Sequence, residues 1–374
     1  MTSNRRVVLL TAVMITMAFG AYASSASAPQ LFDVEMKTLT YASRGGQDLV
    51  LDLYLPQKAR GRLPVIVFLH GGGWSGGTRT TGPDFKRFFA QDGFAVESIE
   101  YRLTPSITFP SNVEDVKTAI RWLRASHETY GLDPGRIGLW GTSAGGHLAA
   151  IAGLAPRGTF EGEDNLTQSS AVQCVLDAYG PTAFNLMDAQ TEQEKSTLQS
   201  QPPALAQAPP MRGGVVVEGA RGGAAAGPGA AAGAGGRGGA PGPHDAPTSP
   251  ESRLVGAPIQ TVPDKVRAAS PMTYVTPNAP PFLIMHGLAD SSVPHGQSVL
   301  LYEALAAAGN DVTLRLIDGL PHTFFNRSNL DELAGPFRMD VRQHSKGGPK
   351  GEQRTVDRAG VFDVARAFFA KHLR

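Results

Sequence analysis

Residues 136–147 read RIGLWGTSAGGH, and the middle of this stretch decides the fold. A short apolar run ends at Trp140, the pentapeptide Gly-Thr-Ser-Ala-Gly follows around Ser143, and a helix-forming stretch begins directly after it. In such a strand-to-helix turn the serine sits at the tip, and the glycines two residues before and after it let the backbones approach closely. A chance match is the alternative in a chain with 44 glycines. The strand and helix flanks favour a nucleophile elbow.

Strand and helix patterns alternate on both sides of this turn. Residues 65–69 are apolar throughout, which is typical of a central strand covered by helices on both faces. The chain therefore predicts an α/β fold with a doubly wound, mostly parallel sheet. The predicted strands are 38–41, 49–55, 65–69, 94–101, 136–140, 171–176, 282–285 and 312–317, and the predicted helices are 84–91, 113–126, 146–154, 298–308 and 361–372.

A glycine-rich loop, His-Gly-Gly-Gly-Trp, follows the central strand. Such a loop turns backbone N–H groups towards a reacting oxygen, so we expect an oxyanion hole with donors at Gly72, Gly73 and Ala144. The alternative is a phosphate-binding turn, but no Lys-Ser or Lys-Thr pair follows the glycines. His70 is expected to hold the loop by hydrogen bonds, and Trp74 either walls an acyl pocket or packs in the core.

A serine nucleophile needs a base, and the base needs a carboxylate to orient it. In α/β folds with such an elbow the chain order is serine, acid, histidine. Asp290 and His322 follow the last two predicted strands of the sheet, where ligands bind in open α/β sheets. The sequence therefore predicts a triad of Ser143, Asp290 and His322. Asp318 is a competing acid, which we expect to cap its loop instead.

The remaining chemistry-bearing residues give weaker indications. His147 and His286 are expected to be packed and hydrogen-bonded, whereas His295 is a candidate to face substrate. Cys174 is the single cysteine, so no intramolecular disulfide is possible. The formal net charge is +1, which does not favour a nucleic-acid partner, and no cofactor or metal site is indicated.

Two segments differ from this pattern. Residues 1–23 read as a signal peptide, with two arginines, an apolar run and a small-residue cleavage site after Ala23, and predict a secreted or periplasmic protein. The apolar run is short for a permanent membrane anchor. The domain at 29–374 is interrupted at 188–263 by a low-complexity insertion whose centre, 219–243, is almost wholly Gly, Ala, Pro and Arg. We expect a disordered linker there; the alternative is a lid or surface-attachment segment.

Together, these motifs resemble the bacterial esterases that include hormone-sensitive-lipase-like and feruloyl or acetylxylan esterase-like enzymes. The resemblance implies the α/β-hydrolase fold, the triad and N–H donors named above, no cofactor, and small esters as substrates, often acyl groups on plant polysaccharides. The matching motifs are His70 to Trp74, Tyr101-Arg102-Leu103, Asp133 to Ile137, Gly141 to His147, Tyr179 to Thr182 and His286 to Pro294.

The chain departs from that family at three places: the insertion, the tripeptide Gly319-Leu320-Pro321 before the histidine, and the polar segment 327–354, to which we assign no role. Two rival functions remain. A serine peptidase of the prolyl-oligopeptidase type usually has an aromatic residue after the nucleophile, where this chain has Ala144. A non-catalytic carbohydrate or small-molecule binding protein on the same fold typically lacks one triad member.

The signal peptide gives the first testable prediction. Exported protein should begin at Ser24, because small residues precede the Ala23 bond and the other candidate cut would leave Pro29 at the new terminus. Intact-mass measurement of the exported chain checks this, and a mass that includes residues 1–23 would contradict it.

Overall fold

In a computed structural model, residues 31–200, 242–325, 335–348 and 351–374 are described. Ten strands form one sheet in the order β1-β2-β4-β3-β5-β6-β7-β8-β9-β10. The strands are β1 Val34–Arg44, β2 Gln47–Pro56, β3 Leu63–Leu69, β4 Ala95–Ile99, β5 Leu132–Thr142, β6 Cys174–Ala178, β7 Phe282–Gly287, β8 Val312–Ile317, β9 Phe337–His344 and β10 Gln353–Ala359.

The six central strands, from β4 to β8 in spatial order, run parallel, and an antiparallel hairpin closes each edge of the sheet. Every residue of β3 is buried, as expected for a strand with helices over both faces. The predicted doubly wound, mostly parallel sheet is confirmed.

Helices cover the sheet on both faces. Residues of α1, α3 and α7 belong to one buried apolar cluster, and α8 and the short helical segment Lys86–Ala90 belong to the other. The helices are α1 Ser111–Ala125, α2 His127–Tyr130, α3 Ala144–Leu154, α4 Met187–Ser200, α5 Pro250–Val255, α6 Pro263–Ala268, α7 Gly296–Ala307 and α8 Val361–Leu373.

The predicted insertion at 188–263 is too wide at both ends. Its first part continues α4, and its last part contains α5 and the start of α6. Polar contacts supplement a short apolar face here, since the six-residue α5 contributes just Leu254 and Val255 to the buried apolar cluster. Asp188 accepts hydrogen bonds from the backbone N–H groups of His244 and Asp245, at 2.8 and 2.9 Å. A hydrophobic-periodicity argument therefore passes over them.

The polar segment 327–354 also folds in part. Its described residues contribute β9 and the start of β10, which form the antiparallel hairpin at one edge of the sheet. Five of the seven residues of β10 are exposed, including the first four, and none is fully buried. An edge strand without a buried face lacks the apolar alternation by which strands are predicted from sequence.

The predicted signal peptide, and residues 201–241 of the predicted insertion, lie outside the described residues. Within the described ranges, no helix combines the length and apolar character needed to cross a membrane.

A buried acid in the sheet has no partner. Glu97 lies in β4 between Leu53 of β2 and Val67 of β3 in the register, and it is 0% exposed. Among the described residues, neither of its carboxyl oxygens has a hydrogen-bond partner. Burial raises the pKa of Glu97 well above its ordinary value, so the folded protein favours the neutral acid.

This gives a stability prediction. Because the folded-state pKa is raised, the stabilising effect of the neutral Glu97 is complete below the ordinary carboxyl pKa and is lost as the pH rises towards the folded-state value. Glu97→Gln removes the ionisation, so its free energy of unfolding should exceed that of the parent by on the order of 1–3 kcal/mol at about pH 8. The gap should shrink towards about pH 5. Urea titrations at both pH values measure it, and a gap independent of pH would contradict the assignment.

Candidate active site

Ser143 lies at the strained turn between β5 and α3. Its backbone has φ 55° and ψ −123°, a conformation that L-residues rarely adopt. A Cβ atom at Gly141 would collide with the carbonyl oxygen of Gly145, and one at Gly145 would collide with that of Leu69. The Ser143 N–H donates to the Ala178 carbonyl at 2.9 Å. The two glycines therefore allow the close backbone approach that presents the serine at the sheet edge.

The three predicted catalytic side chains form one hydrogen-bonded line. His322 Nδ1 lies 2.6 Å from Asp290 Oδ2, and His322 Nε2 lies 2.9 Å from Ser143 Oγ. A carboxylate only accepts hydrogen bonds, so Nδ1 carries the proton and the Nε2 lone pair faces the serine hydroxyl. The Tyr179 ring packs against the His322 imidazole with ring centroids 4.8 Å apart. The imidazole is thus oriented to accept the proton of Ser143.

Asp290 is enclosed by donors. Its Oδ1 accepts the N–H groups of Ser292 and Val293 at 2.8 and 2.9 Å, and its side chain is 1% exposed. Burial alone would raise its pKa, but hydrogen bonds and charges from His286 and His322 outweigh burial and hold the pKa of Asp290 well below its usual range. The acid therefore stays ionised opposite the imidazole.

The glycine-rich loop stands beside the nucleophile. Gly72 and Gly73 have φ values of 121° and 58°, and a Cβ atom at Gly71 would lie 3.1 Å from the Cβ of Ser143. The Gly72 carbonyl accepts two backbone N–H groups from the same loop, at 3.1 and 3.0 Å. Ala144 is the first residue of α3, so its N–H has no acceptor within the helix. All three predicted oxyanion donors line the cleft around Ser143.

This cleft has a volume of about 740 Å³. Its walls are the glycine-rich loop, the elbow, the acid loop after Asp290, the turn at His322 and, on one side, residues between 242 and 251. That last wall comes from the far end of the predicted insertion, which sequence reasoning treated as lacking structure.

His70 and His147 are structural, as expected. The His70 ring stacks on Tyr101 with centroids 4.4 Å apart, and Tyr101 donates its hydroxyl to the His70 carbonyl at 2.7 Å. His147 accepts the Trp74 indole N–H and donates to the Ala269 carbonyl. Burial lowers the pKa of both histidines to about 4, so both rings are neutral. Trp74 is 1% exposed and also borders the cleft.

The ion-pair partners of Asp318 and His295 decide two further expectations. Asp318 accepts a hydrogen bond from Arg338 of β9 at 2.9 Å, so it does not compete with Asp290. The idea that His295 faces substrate is wrong: its Nδ1 pairs with Glu194 of α4 at 2.9 Å, and His295 is not among the residues that line the cleft. The pairing partner comes from the helix that sequence reasoning missed.

His286 has a more specific place than sequence reasoning gave it. Its Nε2 lies 2.9 Å from the Val293 carbonyl oxygen and 3.2 Å from Asp290 Oδ2, and its Nδ1 lies 2.7 Å from the Ser298 hydroxyl. Because both partners of Nε2 only accept, Nε2 carries the proton and Ser298 donates to Nδ1. The spacing of four residues between His286 and Asp290 in one turn was the available signal.

The arrangement supports nucleophilic catalysis. It combines a serine, an imidazole base with its acceptor nitrogen on that serine, and an ionised orienting carboxylate, beside backbone N–H groups for a developing oxyanion. In the described part of the chain, no group of three or more His, Cys, Asp or Glu side chains is arranged to hold a metal ion.

Comparisons with known proteins identify the family to which this chain is similar. The BD-FAE family matches residues 51–211 and 237–305, more than half of the chain. Esterase LipC of Mycobacterium tuberculosis is 30% identical over 264 residues, which cover 70% of this chain and 53% of that protein. The chain thus spans about half the length of the curated relatives it matches.

Two solved structures are similar over most of the chain. A truncated carbohydrate esterase from gut microbiota has a TM-score of 0.56 at 26% identity, covering 82% of this chain and 95% of that one. Esterase Est2 of Thermogutta terrifontis, with propionate bound, has a TM-score of 0.55 at 26% identity, covering 80% and 89%. The latter esterase has also been solved phosphorylated by paraoxon.

An open α/β sheet with a serine at a strand-to-helix elbow, and an acid and a histidine after two later strands, defines an α/β-hydrolase. Within that class, this chain belongs to the BD-FAE family, one of the hormone-sensitive-lipase-like α/β-hydrolases.

The site predicts a role for His286 in positioning Asp290. Replacing His286 with Phe removes the N–H that holds Oδ2, so phosphorylation of Ser143 by paraoxon should slow by about 10-fold, the scale of one hydrogen bond to a charged group. His286→Gln keeps an amide N–H and should recover part of the rate. Mass spectrometry of the labelled peptide over time measures both.

The matched control is His127→Phe on α2, which should label at the parent rate. Thermal melts of each variant separate positioning from unfolding. An unchanged labelling rate in a folded His286→Phe protein would show that the contact does not position the acid.

Proposed function

We propose that this protein is a serine carboxylic-ester hydrolase that acts through an acyl-enzyme on Ser143. The observation that carries the proposal is the position of His322, which bridges Ser143 Oγ and Asp290 Oδ2 at 2.9 and 2.6 Å. Esterase names among the relatives, LipC and the Thermogutta enzyme, support the same reaction.

In the proposed mechanism, His322 Nε2 takes the proton of Ser143 as the serine oxygen attacks the ester carbonyl carbon. The carbonyl oxygen becomes an oxyanion, which accepts hydrogen bonds from the N–H groups of Gly72, Gly73 and Ala144. The protonated imidazole, stabilised by Asp290, then gives its proton to the departing alcohol oxygen. Water, deprotonated by the same imidazole, attacks the acyl-enzyme and releases the acid.

The proposed substrates are esters of short acyl groups, including acetyl or feruloyl groups on plant polysaccharides. A cleft of about 740 Å³ lies in the size range of sites for drug-sized ligands, so it has room for an alcohol half much larger than an acetyl group. The gut carbohydrate esterase, to which this chain is similar over most of its length, supports a carbohydrate alcohol.

The direct test is hydrolysis by the protein and by its Ser143→Ala variant. We expect the variant to lose roughly 10⁴- to 10⁶-fold in kcat with little change in thermal stability, because the nucleophile is removed and the triad acts as a unit. The panel is p-nitrophenyl acetate, butyrate and octanoate, methyl ferulate and acetylated xylan.

Ser106→Ala, an exposed serine on the loop after β4, is the matched control and should keep the parent activity. Turnover by Ser143→Ala within a few-fold of the parent, or no hydrolysis of any ester by the parent, would refute the proposed function.

A further inference from the structure

A buried pair of charged side chains lines the active-site cleft apart from the predicted triad. His244 Nδ1 lies 3.1 Å from Glu251 Oε1, and the two residues are 9% and 3% exposed. Both border the same cleft as Ser143. Neither takes part in the proposed acyl transfer, so the pair calls for another explanation.

The wall that carries this pair is fixed against the glycine-rich loop. A Cβ atom at Gly73 would lie 3.3 Å from the Cβ of Pro250, the first residue of α5. Glu251 directly follows Pro250, which lies against the loop of the expected oxyanion hole. This places Glu251 on the wall of the cleft that adjoins the reacting centre.

The surroundings of His244 favour its protonated ring. Burial favours its neutral ring, but the hydrogen bond and charge of Glu251, the charge of Asp188 and a hydrogen bond to the Ser292 backbone outweigh burial and raise the pKa of His244. Asp188 also accepts the His244 backbone N–H at 2.8 Å. The His244 ring, whose Nδ1 lies 3.1 Å from Glu251 Oε1, therefore fixes one oxygen of that carboxyl group.

The other carboxylate oxygen has no partner. Glu251 Oε2 is buried and makes no hydrogen bond within the described part of the chain. Buried polar oxygens in native proteins are almost always satisfied, by protein, by water or by a ligand. A carboxylate oxygen only accepts, so any partner must supply an O–H or N–H donor, and Glu251 borders the cleft that could admit one.

We propose that Glu251, oriented by His244, forms an alcohol subsite that accepts a hydrogen bond from a hydroxyl group on the alcohol half of the ester. This inference rests on the proposed esterase function and deepens it. The alcohol is thus a polyol or sugar rather than a simple alkyl or aryl alcohol. A site built to bond a substrate hydroxyl discriminates strongly against an analogue that lacks it, because its buried acceptor is then left unpaired.

The test compares esters that differ in a single hydroxyl. Cyclohexyl acetate and the monoacetates of the three regioisomeric cyclohexanediols share the acyl group and the ring, and the isomers place the hydroxyl at different distances from the ester. For the parent, kcat/KM should be about 10-fold or more higher for at least one diol monoacetate than for cyclohexyl acetate. In Glu251→Gln that ratio should fall towards one, because the charge-assisted hydrogen bond is lost.

Glu128→Gln, an exposed acid on α2, is the matched charge control and should keep the parent ratio. If Glu251→Gln does not fold, competitive inhibition of the parent by the free cyclohexanediols, relative to cyclohexanol, decides. Tighter inhibition by a diol is expected, and equal inhibition overturns the subsite.

The outcomes separate the two proposals. Serine-dependent hydrolysis of cyclohexyl acetate, with no preference for any diol ester, leaves the esterase intact and overturns the subsite. A preference that survives in Glu251→Gln overturns the role of Glu251, as does an equal loss on both kinds of ester. If the parent hydrolyses none of these acetates but is active on the p-nitrophenyl or ferulate esters, the subsite is overturned and the esterase function stands. Failure on both panels removes the proposed function and the subsite together.

Discussion

The close backbone approach at the turn between β5 and α3 is the constraint on which the rest of the site depends. The Ser143 backbone has a positive φ, and no side chain fits at Gly141 or Gly145 without colliding with a backbone carbonyl group. Packing energy must maintain such a conformation, since it costs of order 1–3 kcal/mol. The fully buried residues of β3 and β5 and the almost wholly buried α3 supply it. The strained turn in turn directs the serine towards the loops that follow the parallel strands.

The loops after β7 and β8 meet by a second close approach. A Cβ atom at Gly287 would collide with the Leu320 carbonyl oxygen, which accepts the Ala289 N–H at 3.0 Å. Backbone contacts therefore join the acid loop to the histidine loop, in addition to the hydrogen bond between their side chains. Because Leu320 itself is fully buried, the tripeptide that departs from the family pattern still anchors the histidine loop. The short distance between Asp290 and His322 follows from this junction.

Elements that bury wide apolar faces could be predicted from the sequence, and elements that depend largely on polar contacts could not. The strand Val312–Ile317 and the neighbourhood of Ser143, Asp290 and His322 followed from apolar runs and glycine spacing, because parallel strands must be covered on both faces. The helices at the ends of the predicted insertion bury only short apolar faces and depend also on polar contacts across long chain distances, such as Gly296 N–H to Glu194 at 2.9 Å. No local pattern records such contacts. For the same reason sequence reasoning leaves His295 as a candidate to face substrate and does not anticipate the wall that contains Glu251.

Glu97 and Glu251 are buried carboxyl groups with at least one oxygen that makes no hydrogen bond within the described part of the chain, and the comparison between them shows why location matters. Glu97 lies inside the sheet, where burial raises its pKa and favours the neutral acid. Glu251 is fixed beside His244, whose pKa is raised. A buried ion pair is weak evidence for stability, since well-packed apolar residues often stabilise a protein as well or better. Stability therefore does not explain why the wall of the cleft carries this pair. The proposed alcohol subsite gives the pair a use, because an acceptor oxygen beside the expected oxyanion hole can bind a hydroxyl group that the substrate brings.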